Sequence, residues 1–427
     1  LYAEVERTVT RAFERFVSFA TLSLAAAMLL VAAASPAVAR RRAPARSGHA
    51  ARAKAPPIIP LSQIHVLGNR PAPFALDARA AMLIDATSGE TLYSYNEHER
   101  MQPASLAKIM TFYLTLDALK QKRIALDTQI PISEAAWRLS MNQSVSRMFL
   151  QVGQHVPVED LLYGLVVSSG NDAAVALAEY LGGSTEAFAS QMNTEAKKLG
   201  LSETHFMNPD GLPADGMYTT AADMVKLARS LVIHHPVALK YTGTKDFTFD
   251  KITQPNFNSL LFHDSRVHGI KTGHVDVAGY HLVAEANSGD LTLISAVLGT
   301  PSERKRQVET EKLLDWAFRT FATARPDWHK VVPSTMPVFY GAADTVAIAP
   351  TREPAVTVDR GQEGKVTLVW APAARYLSAP IAKGATVGQM TMEVNGKPLE
   401  TVAMVTQAAV ARGGLFKRLR DRFRRAP

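Results

Sequence analysis

Two distant groups of strand-like runs constrain this chain more than any other feature. "ARAAMLIDATSGETLYSYN" (78–96) holds two extended runs around Asp85-Ala-Thr-Ser-Gly89, the pattern of a hairpin. Extended patterns return with "GYHLVAEA" (279–286) and "LTLISAVLG" (291–299), joined through Asn287-Ser-Gly-Asp290. Between them the apolar spacing is helical. It is clearest in "VEDLLYGLVV" (158–167), "NDAAVALAEYL" (171–181) and "TAADMVKLARSLVIH" (220–234). A sheet can therefore form only if the two ends of this stretch meet and the helices are an insertion. "RQVETEKLLDWAFRTFA" (306–322) reads as a closing helix. The pattern predicts an α+β domain with a mostly antiparallel sheet and a helical subdomain, over residues 72–326.

After Pro326 the texture changes. Short strand-like pieces such as "KVTLVWA" (365–371) and "QMTMEVNGKPLETVAMV" (389–405) alternate with Pro and Gly, predicting a small all-β domain over 327–410. The ends differ again. Arg7, Arg11 and Arg15 precede the apolar run 16–34, which leads to small residues at Ala37 and Ala39. Residues 1–39 thus read as a secretory signal peptide, with a single membrane span as the alternative. "RRRAPARSGHAARAKAPP" (40–57) has no apolar periodicity, and 40–71 reads as a basic disordered linker.

Net charge is +8, but it sits at the ends. Residues 40–54 carry six cations and no acid, and 412–427 carry seven cations beside Asp421. Residues 1–39 balance, so 55–411 sums to −4, which argues against a nucleic-acid partner. The chain has no cysteine, which excludes disulfides, thiolate nucleophiles and cysteine-ligated metals. His234-His235 has no metal-ligand spacing and reads as a helix end before Pro236.

In the tail 411–427, Leu415, Phe416, Leu419 and Phe423 fall within an arc of about 100° on a helical wheel, with cations over the rest. This predicts an amphipathic helix on an anionic membrane surface, too short and too charged to span. A helix packed on its own domain is the alternative, disfavoured by the shortage of acids nearby.

The stretch "MQPASLAKIMTFYLTL" (101–116) poses the chemical question. Leu106, Ile109, Met110 and Tyr113 recur at helical spacing behind Pro103, yet Ser105 and Lys108 share a face. A serine hydroxyl needs a base, and a lysine serves when burial keeps its amine neutral. The S-x-x-K spacing alone is cheap. A second copy, Ser302 to Lys305, sits in a charged run with no apolar face. S-x-N occurs at Ser169–Asn171, but also at Ser94–Asn96 and Ser140–Asn142, and helix capping would account for it. Lys271-Thr272-Gly273 occurs once, ending a strand-like run. The ordered set is the specific signal: S-x-x-K, then S-x-N 64 residues on, then K-T-G 102 residues further.

That set, as "PASLAKIMT", "SSGNDAA" and "GIKTGHVDVAGY", resembles the low-molecular-mass penicillin-binding proteins that act as serine D-alanyl-D-alanine carboxypeptidases. The resemblance runs from about residue 75 to 325 and continues through the β domain and the tail. It implies a β-lactamase-like transpeptidase fold and removal of the terminal D-alanine from peptidoglycan stem peptides, in cell-wall biosynthesis and cell-shape control. Ser105 would be the acylated nucleophile, Lys108 its base, and Ser169 a proton relay to the leaving D-alanine. Asn171 would bind the substrate backbone, Lys271 would supply positive charge that holds Lys108 neutral, and Thr272 would bind the carboxylate. Gly273 would let the peptide lie along the strand, and the amide of His274 would complete an oxyanion hole with that of Ser105. Arg306 is a loose match for a further carboxylate contact.

The resemblance also implies no cofactor and no metal, covalent inhibition by β-lactams, and a periplasmic place on the outer face of the cytoplasmic membrane. Gly170, where a class A β-lactamase would carry Asp, and the lack of E-x-x-L-N after Ser169 separate the chain from those enzymes. The readings left open are an endopeptidase of the same family and a catalytically silent wall-binding relative.

Overall fold

The computed structural model describes residues 56–57 and 59–424, so the leader region and most of the basic segment lie outside the described residues. The central sheet uses six strands: β1 (His65–Val66), β2 (Ala80–Asp85), β3 (Thr91–Tyr95), β4 (Val267–Val275), β5 (Gly279–Ser288) and β6 (Leu291–Thr300). Their order is β1-β3-β2-β6-β5-β4, antiparallel throughout. The β2–β3 hairpin and the β4–β5–β6 meander thus meet at the β2–β6 seam, where Ile84 lies opposite Ile294.

Both faces of the sheet are covered, and strand alternation assigns each residue to a face. Ala80, Ile84, Ile294, Ala296 and Leu298 join the core of the helical layer. That layer is built on α1 (Lys108–Lys120), α2 (Val158–Val166), α3 (Asn171–Gly182) and α4 (Ala221–His234). Ala81, Leu83, Leu293 and Val297 face the other way, onto Leu313, Leu314 and Phe318 of α5 (Glu303–Thr320).

The fold begins earlier than residue 72. Ile59, Ile64 and Val66 are buried, and β1 pairs with the outer edge of β3. Residues 59–71 therefore do not belong to a disordered linker; their few apolar side chains cover an otherwise bare edge.

The β domain has its own six-stranded sheet and a core of Met336, Ile348, Met390, Met392 and Met404. A two-stranded ladder, Phe321–Ala324 with Val356–Asp359, leads into it. The buried Asp85 carboxylate in the hairpin accepts hydrogen bonds from Thr323 (2.7 Å) and Thr357 (2.9 Å), tying that ladder to the central sheet.

The tail forms α6 (Leu415–Arg424). One face packs on its own domain after all. Asp421 is buried and accepts from the Tyr340 amide at 2.8 Å, while Lys417 and Arg420 pair with Asp344 at 2.9 and 3.1 Å. These two acids were hidden in the sequence because one lies far away and the other looks like part of the charged run. The apolar face points outward: Phe416 is 90% exposed and Phe423 76%.

Candidate active site

Pro103 precedes a 3₁₀ turn, Ala104–Ala107, and α1 starts only at Lys108. This differs from the α-helical start expected and serves the pair better, because residues three apart eclipse in a 3₁₀ turn. The Lys108 amine is buried and lies 3.0 Å from the Ser105 hydroxyl. It also donates to Asn171 Oδ1 (2.6 Å) and to the carbonyl of Asp210 (2.5 Å). Burial pushes its pKa down to about 8, against the opposing pull of Asp210 and Asp172.

The Asp210 loop escaped the sequence reading, although Asn208-Pro-Asp-Gly211 is a turn signal. Thr111, one turn beyond Lys108, anchors it by donating to the Pro209 carbonyl at 2.6 Å. Gly211 has φ +84°, and a Cβ there would sit 1.9 Å from the Ala104 carbonyl oxygen. Only glycine lets the loop close over the amine.

Ser169 and Asn171 lie at the junction of α2 and α3. Capping does not account for them: Gly170 is the N-cap, without a side-chain bond, and the Asn171 oxygen is committed to Lys108. Asp172 holds the opposite wall, accepting from Ser140 (2.6 Å) and the amides of Met148 (3.0 Å) and Leu150 (3.3 Å). That wall carries Ser144 and Ser146, and Ser146 donates to the Ser169 carbonyl at 2.8 Å.

β4, at the edge of the sheet, brings Lys271, Thr272, Gly273 and His274 to the other side. A Cβ on Gly273 would point at the Pro103–Leu106 turn, 3.1 Å from the Pro103 carbonyl. The absent side chain lets β4 pack against the turn that carries Ser105. Lys271 is buried and donates to the Thr272 carbonyl at 3.3 Å. Burial first, then the Lys108 and Arg306 cations, push its pKa well below the usual lysine value. Burial is thus the largest cause of the low pKa at Lys108, and burial acts in the same direction on Lys271. The His274 ring stacks on Tyr280 at 3.9 Å, and burial lowers its pKa.

Ser105, Ser169, Asn171, Thr272, Gly273 and His274 line one cleft of about 230 Å³, with Arg306 at its end. Lys108 and Lys271 lie beneath the wall. Arg306, in the first turn of α5, is held by the Phe257 carbonyl (3.0 Å) and Glu303 (2.9 Å). The second S-x-x-K is elsewhere and structural: Ser302 caps α5, accepting from the Lys305 amide, and the Lys305 amine pairs with Asp77 at 2.9 Å.

A serine and a buried lysine at a helix start, facing Ser-x-Asn and Lys-Thr-Gly across a sheet edge, define a serine acyl-transfer enzyme of the penicillin-binding class. Comparison with known proteins narrows this. Residues 68–302 match the family model "D-alanyl-D-alanine carboxypeptidase", and 329–412 match "Penicillin-binding protein 5, C-terminal domain". The chain is 41% identical to the D-alanyl-D-alanine carboxypeptidase DacC of Escherichia coli, over 81% of this chain and 88% of that one. It is 31% identical to DacF of Bacillus subtilis, over 82% and 90%. Penicillin-binding protein 5 of Haemophilus influenzae superposes with a TM-score of 0.71 at 36% identity, covering 80% of this chain and 99% of that structure. Penicillin-binding protein D2 of Listeria monocytogenes, solved in its cefotaxime-bound form, matches at 0.53 and 33% identity, over 57% and 98%. The chain belongs to the D-alanyl-D-alanine carboxypeptidase family.

Proposed function

We propose that this chain removes the terminal D-alanine from peptidoglycan stem peptides through an acyl-enzyme on Ser105. The observation that carries the reading is the Ser105 hydroxyl 3.0 Å from an amine whose pKa burial lowers to about 8. In its neutral form Lys108 accepts the hydroxyl proton as Ser105 Oγ bonds to the carbonyl carbon between the two D-alanines. The amides of Ser105 and His274 receive the oxyanion. Ser169 relays the proton taken up by Lys108 to the leaving amine as the C–N bond breaks and free D-alanine departs; water then cleaves the Ser105 ester, giving one proton back to Ser105 Oγ through Lys108. Asn171 binds the substrate backbone, and Thr272, Lys271 and Arg306 receive the terminal carboxylate. A substrate carboxylate beside Lys271 favours its charged form, which in turn favours neutral Lys108.

A β-lactam presents a similar carbonyl, but its leaving nitrogen stays tethered after ring opening, which leaves Ser105 blocked. The intact set of polar residues disfavours a silent wall-binding relative.

α6 supports placement on an anionic membrane surface, and a peptidoglycan substrate would put that surface outside the cytoplasm. Its outward side chains are Leu415, Phe416, Leu419 and Phe423, flanked by cations. No helix among the described residues is long and apolar enough to cross a membrane.

The test is D-alanine release from a peptide ending in D-Ala-D-Ala, together with covalent labelling by fluorescent penicillin. Ser105→Ala is expected to abolish both while the protein stays folded. Labelling retained in that variant would move the nucleophile elsewhere.

A further inference from the structure

We propose that His281 is a positioning residue for the nucleophile: its imidazole carries its proton on Nε2 and clamps the Gln102 carbonyl, holding the turn that presents Ser105. The inference rests on the reading of Ser105 as nucleophile, but on a separate set of contacts.

His281 lies in β5, opposite Gly273 of β4, and is fully buried. Its Nδ1 accepts a hydrogen bond from the Gly299 amide at 2.9 Å. A backbone N–H can only donate, so Nδ1 holds a lone pair, and the proton of the neutral ring must be on Nε2. Nε2 lies 3.2 Å from the Gln102 carbonyl oxygen, which can only accept. The two contacts together fix the tautomer. Gly299 sits where the β6 register shifts against β5, at φ +73°, so its amide is free of the ladder and turned to the ring. Burial keeps the ring neutral, and Arg306, Arg79 and His274 also disfavour its protonation.

The clamp matters because Gln102 leads directly into the turn of the nucleophile. Ala104, immediately before Ser105, has φ +49°, a left-handed conformation that costs a non-glycine residue about 1 kcal/mol. Such a residue persists only where its surroundings hold it. Met101 is pinned on one side by a two-bond bridge to Thr219, at 3.0 and 2.9 Å. Beyond Ala104, the Gly211 loop abuts its carbonyl. Gln102, which follows Met101, is held by the His281 proton. Without that proton a part-buried carbonyl loses its partner and the turn can relax, shifting Ser105 Oγ away from Lys108 Nζ. A displacement of about 1 Å at a reacting atom is worth up to about a hundredfold in rate.

The test compares two nearly isosteric variants of the full chain, His281→Gln and His281→Met. Gln keeps a donor that reaches as far as Nε2, whereas Met has no donor and only a weakly accepting sulfur. Acylation by benzylpenicillin is expected to run at least about tenfold slower in Met than in Gln, with similar denaturation midpoints. Equal acylation in the two variants would overturn the clamp, whereas an active Ser105→Ala would instead overturn the nucleophile on which it rests. Should the Met variant not fold, the wild-type imidazole ¹⁵N spectrum decides. A protonated Nε2 and bare Nδ1 from about pH 5 to 8 are expected, and a proton on Nδ1 would refute the proposal.

Discussion

The cleft and the tail invert the ordinary partition of side chains in opposite senses. In the cleft, Lys108 and Lys271 are buried; in the tail, Leu415, Phe416, Leu419 and Phe423 stand in solvent. Each inversion costs free energy in isolation. The difference lies in what surrounds it. Lys108 is satisfied on three sides by Ser105, Asn171 and Asp210, so burial there tunes an amine without orphaning it. Among the described residues the apolar face of α6 stands exposed, while its opposite face is tied down through Asp421 and Asp344. A completed polar cage points to chemistry; an uncovered apolar stripe beside cations points to a surface.

Breaking the cage has the larger effect. Lys108→Arg keeps a cation but cannot yield a neutral base at working pH. Acylation by penicillin is expected to fall at least about a hundredfold, since that is the lower range of general-base contributions. A rate within about tenfold of wild type would reduce Lys108 to a source of charge. Breaking the stripe acts on location instead. Replacing Phe416 and Phe423 with Ser is expected to cut binding to anionic vesicles at least about tenfold in co-sedimentation. D-Alanine release from a soluble peptide should stay within about twofold of wild type, because α6 is tied to Tyr340 and Asp344, neither of which lines the cleft. Unchanged vesicle binding would sink the surface reading, and a large loss of soluble activity would show that the tail also serves the cleft.

Much of this was legible in the chain, for physical reasons that differ by element. β2, β3, β5 and β6 bury residues on one or both faces over long runs, so their patterns survive without context. Ser105 and Lys108 were legible because the pair is local. β1 was not: two residues carry no periodicity, and only the bare edge of β3 gives them a role. The Asp210 carbonyl is a backbone group that any residue could supply, so its contact with Lys108 leaves little trace beyond the turn at Asn208–Gly211. His281 reads as an ordinary strand residue, since its partners Gln102 and Gly299 are joined only by the fold. Gly273 was noticed for its motif, but its missing Cβ serves packing against Pro103, which no local pattern shows.

The central claim is that burial makes Lys108 the base, and the pH dependence of wild-type acylation tests it most directly. At saturating penicillin, binding drops out and the rate follows the neutral fraction of the amine. Deprotonation increases as pH rises through the pKa, which burial lowers from 10.5 to about 8. The first-order acylation rate should therefore climb about tenfold per pH unit below that value and level off above it. A midpoint at about 8, or somewhat below it where the bound carboxylate charges Lys271, is the expected result. A limb that keeps rising toward the ordinary lysine value, or a rate flat from about pH 6 to 10, would contradict the assignment of Lys108 as a base neutralised by its burial.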